Sequence, residues 1–168
     1  MTPAHPSGAS HLNGTLGVVD QLALGELVAR YALYADHRDF DGLKGLFTED
    51  AVLVLPNPPK DLGPVLTSTG RDEIAASLSS LNDIPITFHA LAGQVFDAGA
   101  EPSTATGHVA CVAHHLTERE PGKPGDLVWH LRYTDAYRLE EGTWRISRRE
   151  LQIDWIETRS VRKWRSGT

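Results

Sequence analysis

The sequence predicts a single α+β domain. Two observations lead to this prediction: three segments with the helical spacing of apolar residues come first, and four long segments with strand character follow. Helices grouped before strands are typical of an α+β fold, whereas a parallel α/β sheet would alternate them. With 168 residues, 40% of them hydrophobic and 23% charged, the chain is long enough for one core and too apolar for wholesale disorder.

The first two helices are predicted near the start of the chain. The first begins at Asp20, a preferred N-cap residue type, and ends around Asp36. Its apolar residues recur at spacings of three and four, at Leu24, Leu27, Val28, Tyr31 and Ala35. After a turn, Asp39 or Asp41 caps a short second helix. That helix is expected to carry Leu43, Leu46 and Phe47.

The strands are predicted after the second helix. Residues 51–55 are rich in Val and Leu and favour a short strand. Residues 56–70 contain four prolines and two glycines, which predicts a long loop that could act as a lid. A third helix follows from Arg71 to Leu81. Clusters of turn-forming residues then separate four predicted strands, at 86–97, 104–118, 127–140 and 143–158.

The two-residue period of a strand assigns one face of residues 127–140 to the core. That face carries Trp129, Leu131, Tyr133, Asp135, Tyr137 and Leu139. Because a buried carboxylate needs a partner, we expect Asp135 to form an ion pair with Arg148 on the last strand. On that strand, the inward residues change parity, so a β-bulge is predicted between Ser147 and Glu150. The inward residues are Trp144 and Ile146 before the bulge, and Leu151, Ile153 and Trp155 after it.

Charge and composition exclude several classes of function. A net charge of -6 argues against nucleic acid as a partner, because phosphate binding requires a basic surface. Cys111 is the only cysteine, so neither a disulfide nor a thiolate metal site can form within the chain, and we expect no metal. No apolar run is long enough to cross a bilayer. We therefore expect a cytoplasmic protein, with a flexible leader at 1–17, a domain at 18–158 and a basic tail at 159–168.

The sequence contains several short motifs whose order along the chain indicates a family. They lie at residues 30–41, 46–51, 70–74, 87–89, 133–135 and 142–148, followed by Trp155. Together they resemble the motifs of SnoaL-like proteins, within the nuclear transport factor 2-like superfamily. The resemblance implies a cone-shaped α+β barrel, in which three N-terminal helices pack on a strongly curved, mixed, mainly antiparallel sheet that encloses one pocket.

Within that superfamily, the chain is most similar to the branch that contains scytalone dehydratase, bile-acid 7α-dehydratase and hexachlorocyclohexane dehydrochlorinase. Enzymes of this branch share an Asp–His dyad. Its Asp, at the end of the first helix, matches Asp36, and its His, at the start of a long strand, matches His89. The resemblance also implies catalytic roles for Tyr31, five residues before Asp36, and for His115 on the following strand.

Other residues are expected to line the pocket. They are Tyr34, Phe47, Tyr133, Asp135, Arg148 and Trp155. The sequence departs from scytalone dehydratase at Ala35, where that enzyme has Tyr, and near Tyr133, where it has a pocket Asn. The polar groups that recognise the substrate therefore differ, and only an apolar small molecule is implied. The resemblance to this superfamily also implies a homodimer or a homotrimer.

A histidine with a carboxylate on its far ring nitrogen is a competent general base, since the carboxylate fixes the tautomer and stabilises the imidazolium. His89 could remove a proton next to a carbonyl or a leaving group. Tyr31 or His115 could donate to a departing hydroxyl or steady an oxyanion. The leading hypothesis is a cofactor-independent lyase or isomerase, dehydratase-like, that acts on an apolar cyclic, steroid- or polyketide-like compound.

Two other functions stay open from the sequence. In an epoxide hydrolase, Asp36, Arg148 and Asp135 would supply an Asp–Arg–Asp set that activates water. The domain could also bind a small molecule without catalysis, because a fold does not establish chemistry. Taken without the resemblance, His89 is more readily a core histidine than a base, and His115 fits either the pocket or the strand surface.

Overall fold

The computed structural model describes residues 15–164. Most of the expected leader, residues 1–14, therefore lies outside the described residues, as do residues 165–168 of the expected tail. Residues 159 and 160 still belong to the last strand, so regular structure continues slightly beyond the expected boundary at 158. None of the helices within residues 15–164 is long and apolar enough to span a membrane.

Three helices occur where the sequence predicts them. They are α1 (Val18–His37), α2 (Phe40–Gly45) and α3 (Arg71–Leu78), the last followed by a 3-10 turn at Ser79–Asp83. The side chain of Asp39 caps α2 by accepting a hydrogen bond from the amide of Gly42. Gly17, not Asp20, is the N-cap of α1. Asp20 instead accepts a hydrogen bond of 2.9 Å from the indole N–H of Trp144, which ties α1 to the last strand.

In the described part of the chain, six strands form one mixed sheet in the order β2-β1-β6-β5-β4-β3. Only β1 and β6 are parallel, and the other neighbours are antiparallel. The sheet does not close on itself, and with the helices it confirms the predicted α+β class. The strands are β1 (Phe47–Asn57), β2 (Asp61–Thr69), β3 (Ile86–Ala98), β4 (Thr104–Glu120), β5 (Lys123–Glu140) and β6 (Thr143–Ser160).

The expected loop at 56–70 is wrong, because most of it forms β2. Residues 66–69 pair with β1, as in Leu55 opposite Leu66. The prolines do not prevent this pairing, since β2 is an edge strand and Pro64 falls where the β1–β2 register shifts. Phe47 begins β1 rather than ending the second helix.

Two register shifts decide which way the side chains of β6 point. Ala136 pairs with Arg148 and Tyr137 with Ile146, so the predicted bulge lies at Ser147. The bulge turns Arg149 into the core and leaves Arg148 outside. The expected Asp135–Arg148 pair is therefore wrong by one residue, and Asp135 pairs with Arg149.

The second shift lies between Ile153 and Trp155 and has the opposite effect. Ile153 is buried, whereas Trp155 is 52% exposed and stacks on His130 at 4.0 Å on the outer face of the sheet. The expectation that Trp155 points inward is therefore wrong. The inner face of β5 agrees with the prediction, with Leu131, Tyr133, Asp135 and Tyr137 all buried.

Candidate active site

A cavity of about 400 Å³ lies between the helices and the inner face of the sheet. It is mainly apolar, with polar groups contributed by two histidines, two tyrosines, one tryptophan and three serines. Among residues 15–164, none of the side chains that line it is an acid, a lysine or an arginine. The lining residues are Tyr31, Ala35, Leu55, Pro56, Leu66, Ser68, Ser77, Leu78, Ser80, Leu81, Ile84, His89, Ala113, His115, Trp129, Leu131, Tyr133 and Leu151.

His89 lines this cavity and contacts Asp36, which borders a neighbouring, more open groove. Asp36 lies in the last turn of α1, and His89 lies near the start of β3, against which α1 packs. His89 Nδ1 is 2.7 Å from Asp36 Oδ1, and the backbone N–H of His89 donates to Oδ2 at 2.9 Å. The His89 side chain is only 9% exposed and the Asp36 side chain 16%. Both contacts hold the carboxylate against the imidazole.

The hydrogen bonds around Asp36 keep it ionised. Burial raises the pKa of its carboxyl, but the donors from His89 and the Thr87 hydroxyl, 2.9 Å from Oδ1, outweigh burial and lower it. An ionised carboxylate only accepts hydrogen bonds, so the hydrogen between the two groups sits on His89 Nδ1 in the neutral ring. The lone pair of the neutral ring is then on Nε2, the nitrogen left free by Asp36.

His115 stands beside the dyad. Its ring centroid is 6.4 Å from that of His89 and 4.4 Å from that of Trp129. Its Nδ1 donates to the carbonyl of Leu127 at 3.0 Å. Burial lowers the pKa of His115, so the ring is neutral near pH 7 and its Nε2 is an acceptor. The structure thus brings His115 into the cavity but equips it poorly to donate a proton from Nε2.

Tyr31 and Tyr133 form the adjoining wall, with ring centroids 5.9 Å apart. The guanidinium of Arg149 lies 4.1 Å from the Tyr31 ring centroid and 4.3 Å from that of Tyr133. Burial raises the pKa of Tyr31, although the charge of Arg149 opposes this, and burial raises that of Tyr133 further. Both phenols therefore keep their protons and are competent hydrogen-bond donors.

Arg149 is held by Asp135 beneath these rings. Asp135 accepts from Arg149 Nε at 2.8 Å and Nη2 at 2.6 Å, and from the Tyr137 hydroxyl at 2.6 Å. Both charged side chains are fully buried. This ion pair shapes the wall behind Tyr31 and Tyr133. The sequence predicted that role for a pair of Asp135 with Arg148, one position earlier.

Several residues expected in the pocket lie elsewhere. The Tyr34 hydroxyl accepts from Arg30 on the exposed side of α1. Phe47 packs edge-on against Tyr31 in the core, behind the cavity wall. Arg148 pairs with Glu150 at the surface. Asp36, Arg148 and Asp135 therefore do not converge on one point, and the Asp–Arg–Asp set for epoxide hydrolysis is not assembled.

The sequence did not single out Arg149, Thr87 or Arg38 as functional side chains. Arg149 escaped because a one-residue bulge decides its direction. Thr87 and Arg38 contact the dyad only through the packing of α1 on β3, which a strand or helix period does not reveal. Within residues 15–164, no group of three or more His, Cys, Asp or Glu residues could hold a metal ion.

Comparison with protein families places this geometry in context. The model of the SnoaL-like domain matches residues 18–150, most of the chain. This chain belongs to the SnoaL-like domain family. A search of curated proteins gave no significant match to this SnoaL-like protein.

Solved structures share its fold. A protein from Novosphingobium aromaticivorans, provisionally assigned as a scytalone dehydratase, has a TM-score of 0.71 and 23% identity, over 86% of this chain and 91% of its own. A type 2 hexachlorocyclohexane dehydrochlorinase has a TM-score of 0.70 and 15% identity, over 90% and 97%. An NTF2-like protein with a cystatin-like fold, also from Novosphingobium aromaticivorans, has a TM-score of 0.64 and 25% identity, over 82% and 83%. At such identities the likeness concerns the fold.

Proposed function

We propose that this SnoaL-like protein is a lyase or isomerase that needs no cofactor and acts on an apolar cyclic, steroid- or polyketide-like molecule. His89 is the general base and Asp36 orients it. One observation carries the proposal: the 2.7 Å contact between His89 Nδ1 and Asp36 Oδ1, made by a histidine that lines the apolar cavity. A base held this way and shielded from water can accept a proton from a carbon acid.

The proposed step is a proton abstraction followed by elimination or reprotonation. His89 Nε2 takes a proton from the carbon next to a carbonyl, and the C–H electron pair passes into an enolate. Asp36 stabilises the imidazolium that forms. In the lyase reaction the enolate re-forms the carbonyl and expels a β-hydroxyl, which leaves as water with a donated proton. In the isomerase reaction the imidazolium returns its proton to a different carbon.

Tyr31 is the better candidate for the donor to the enolate oxygen or the leaving hydroxyl. Its phenol is protonated and lies in the cavity wall, whereas the free Nε2 of neutral His115 is an acceptor. His115 is better suited to accept a hydrogen bond from a substrate hydroxyl. We assign these roles to Tyr31 and His115 as part of the proposal.

The cavity favours neutral substrates, because no lysine or arginine of the described part of the chain lines it to offset a carboxylate or phosphate. Two structural neighbours bear the names of a dehydratase and a dehydrochlorinase, and both names describe eliminations. This agreement supports the reaction class rather than any particular substrate.

The test uses cyclic β-hydroxyketones and cyclic enones as probes. NMR in D2O would follow both loss of water and exchange of the α-hydrogen. His89→Gln should lower turnover by about 10² or more while binding and melting temperature change little. The matched control is His114→Gln, which removes a histidine paired with Asp126 on the outer face and should retain activity. Full activity of folded His89→Gln would exclude the mechanism.

Two further outcomes separate the remaining alternatives. Turnover should survive prolonged treatment with EDTA, and a loss reversed by zinc would contradict the cofactor-free proposal. If the probes bind in the cavity but show neither exchange nor elimination, the protein is a small-molecule-binding module. We also propose a homodimer or homotrimer, with the outer sheet face that exposes Phe88, Val95 and Trp155 as its interface, testable by light scattering after gel filtration.

A further inference from the structure

Arg38 forms an unusual bridge at the end of α1. It adopts the left-handed conformation, with φ of 60°, and its guanidinium turns back towards the helix and the sheet. Its Nη1 donates to the Ala35 carbonyl at 2.6 Å and to the Thr87 hydroxyl oxygen at 2.7 Å. Its Nη2 donates to the Ile84 carbonyl at 2.7 Å. Arg38 thus spans the helix end and the residues that lead into β3.

The direction of each hydrogen bond in this network follows from the chemistry of its groups. A guanidinium has donors only, so the Thr87 oxygen must accept from Arg38. The single hydroxyl proton of Thr87 is then donated to Asp36 Oδ1, 2.9 Å away. Asp36 consequently receives three donors: this hydroxyl, the His89 backbone N–H and His89 Nδ1.

We propose that Arg38 and Thr87 are positioning residues that hold Asp36 ionised and correctly rotated, so that His89 presents its unprotonated nitrogen to the cavity. This inference rests on the proposed function and extends it. Neither residue lines the cavity, so both act on the substrate only through Asp36 and His89.

A second Asp–His pair shows what this bridge adds. On the outer face, Asp126 accepts from His114 Nδ1 at 2.7 Å and from the backbone N–H of His115 at 3.2 Å. Asp36 accepts the same two kinds of bond from His89. The Thr87 hydroxyl, oriented by Arg38, is the additional donor at Asp36.

Arg38 also ties α1 to the segment before β3 through the carbonyls of Ala35 and Ile84, so a loss of stability alone would not show a positioning role. The deciding measurement is the pKa of Asp36, followed by the ¹³C shift of its carboxyl carbon. Other titratable or charged groups near it are Arg38, His89 on β3 and the Cys111 thiol on β4, together with His37 and His114, which border the same groove as Asp36. All of them stay in place in a Thr87→Val variant.

Thr87→Val should raise the Asp36 pKa by about half a unit or more, because a charged carboxylate loses one donor. Thr87→Ser keeps the hydroxyl and should return the value to that of the wild type. The matched control is Thr48→Val, since the buried Thr48 likewise donates to a carboxylate, Asp50, that is also paired with an arginine, Arg138. That control should leave Asp36 unchanged.

Arg38→Gln provides an independent variant should Thr87→Val fail to fold. Glutamine can accept as well as donate, so the Thr87 hydroxyl is free to turn away from Asp36, and the Asp36 pKa should again rise. An unchanged or lower Asp36 pKa in the folded variants would overturn the inference and leave Arg38 as a structural tether.

Activity gives the second readout. With a probe ketone that the wild type exchanges, Thr87→Val should lower kcat about 10-fold at unchanged KM, because the loss falls on the oriented base and not on binding. Thr87→Ser should restore kcat. If the wild type exchanges no probe, the proposed function fails, and the Asp36 titration still decides the inference on Arg38 and Thr87.

Discussion

Arg148 and Arg149 are neighbours on β6, yet replacing each with Met should have very different effects on stability. Arg149 is fully buried, and its guanidinium makes two hydrogen bonds to buried Asp135. Arg148 is 48% exposed and pairs with Glu150 at the surface. The two variants carry the same chemical change one residue apart, so the difference between their losses of stability reports the effect of burying the ion pair.

The expected magnitudes follow from these environments. Removing one partner of a buried ion pair strands the other charge and costs about 3–5 kcal/mol. Arg149→Met leaves Asp135 with only the Tyr137 hydroxyl as a side-chain donor. With a urea m-value of about 2 kcal/mol/M, the unfolding midpoint should fall by about 1.5–2.5 M. The exposed pair is worth about 0–1 kcal/mol, so Arg148→Met should shift the midpoint by at most about 0.5 M.

Urea unfolding followed by circular dichroism, at one fixed protein concentration, measures both midpoints. A double variant, Asp135→Leu with Arg149→Met, should be less destabilised than the sum of its single variants, since neither charge is then left unpaired. An Arg149→Met urea midpoint within about 0.5 M of the wild-type midpoint, or an Arg148→Met midpoint as low as that of Arg149→Met, would contradict this expectation.

Three further predictions concern packing, reactivity and pH. Gly107→Ala places a methyl 2.9 Å from a ring carbon of buried Tyr137 and should cost about 1–3 kcal/mol, whereas Gly93→Ala meets nothing within 4 Å; melting temperatures would compare them. Burial raises the pKa of Cys111 to about 12, so a thiol reagent at pH 8 should label it only after unfolding. Asp36 has a lowered pKa in the folded state, so its contribution to the free energy of unfolding is fully present above its ordinary pKa of about 3.9 and is lost as the pH falls through its folded-state pKa. Asp36→Asn should flatten that part of the stability–pH curve measured by urea unfolding.

The elements with clear periodicity were predictable from the sequence. The first helix and the four long strands β3 to β6 appear within a few residues of their expected limits. β2 was not predictable, because the prolines and glycines of residues 56–70 are typical of loops, and only pairing with β1 makes residues 61–69 a strand. Local composition and long-range pairing gave opposite answers there, and pairing prevailed.

The site was predictable where it depended on the ends of elements and not where it depended on register. Asp36 at the end of α1 and His89 at the start of β3 meet as the family resemblance implied. Arg149 could not be chosen over Arg148, because a bulge shifted by one residue reverses every following side chain. The orientation of the Thr87 hydroxyl depends on the guanidinium of Arg38, which lies 49 positions earlier in the chain.

The position of Asp36 in the last helical turn is not by itself a sign of function. A negative charge there opposes the helix dipole, but three hydrogen-bond donors and the nearby guanidinium offset that cost, and a purely structural network could do the same.

The Asp–His contact is not by itself a sign of function either, since His114 and Asp126 make one of equal length on the outer face. The two pairs differ in what their histidines face. His89 lines the mainly apolar cavity beside Tyr31, whereas His114 borders a more open groove, which Asp36 also borders. A base also needs a substrate held beside it, so the cavity, and not the dyad alone, is the observation that supports the proposed role of His89.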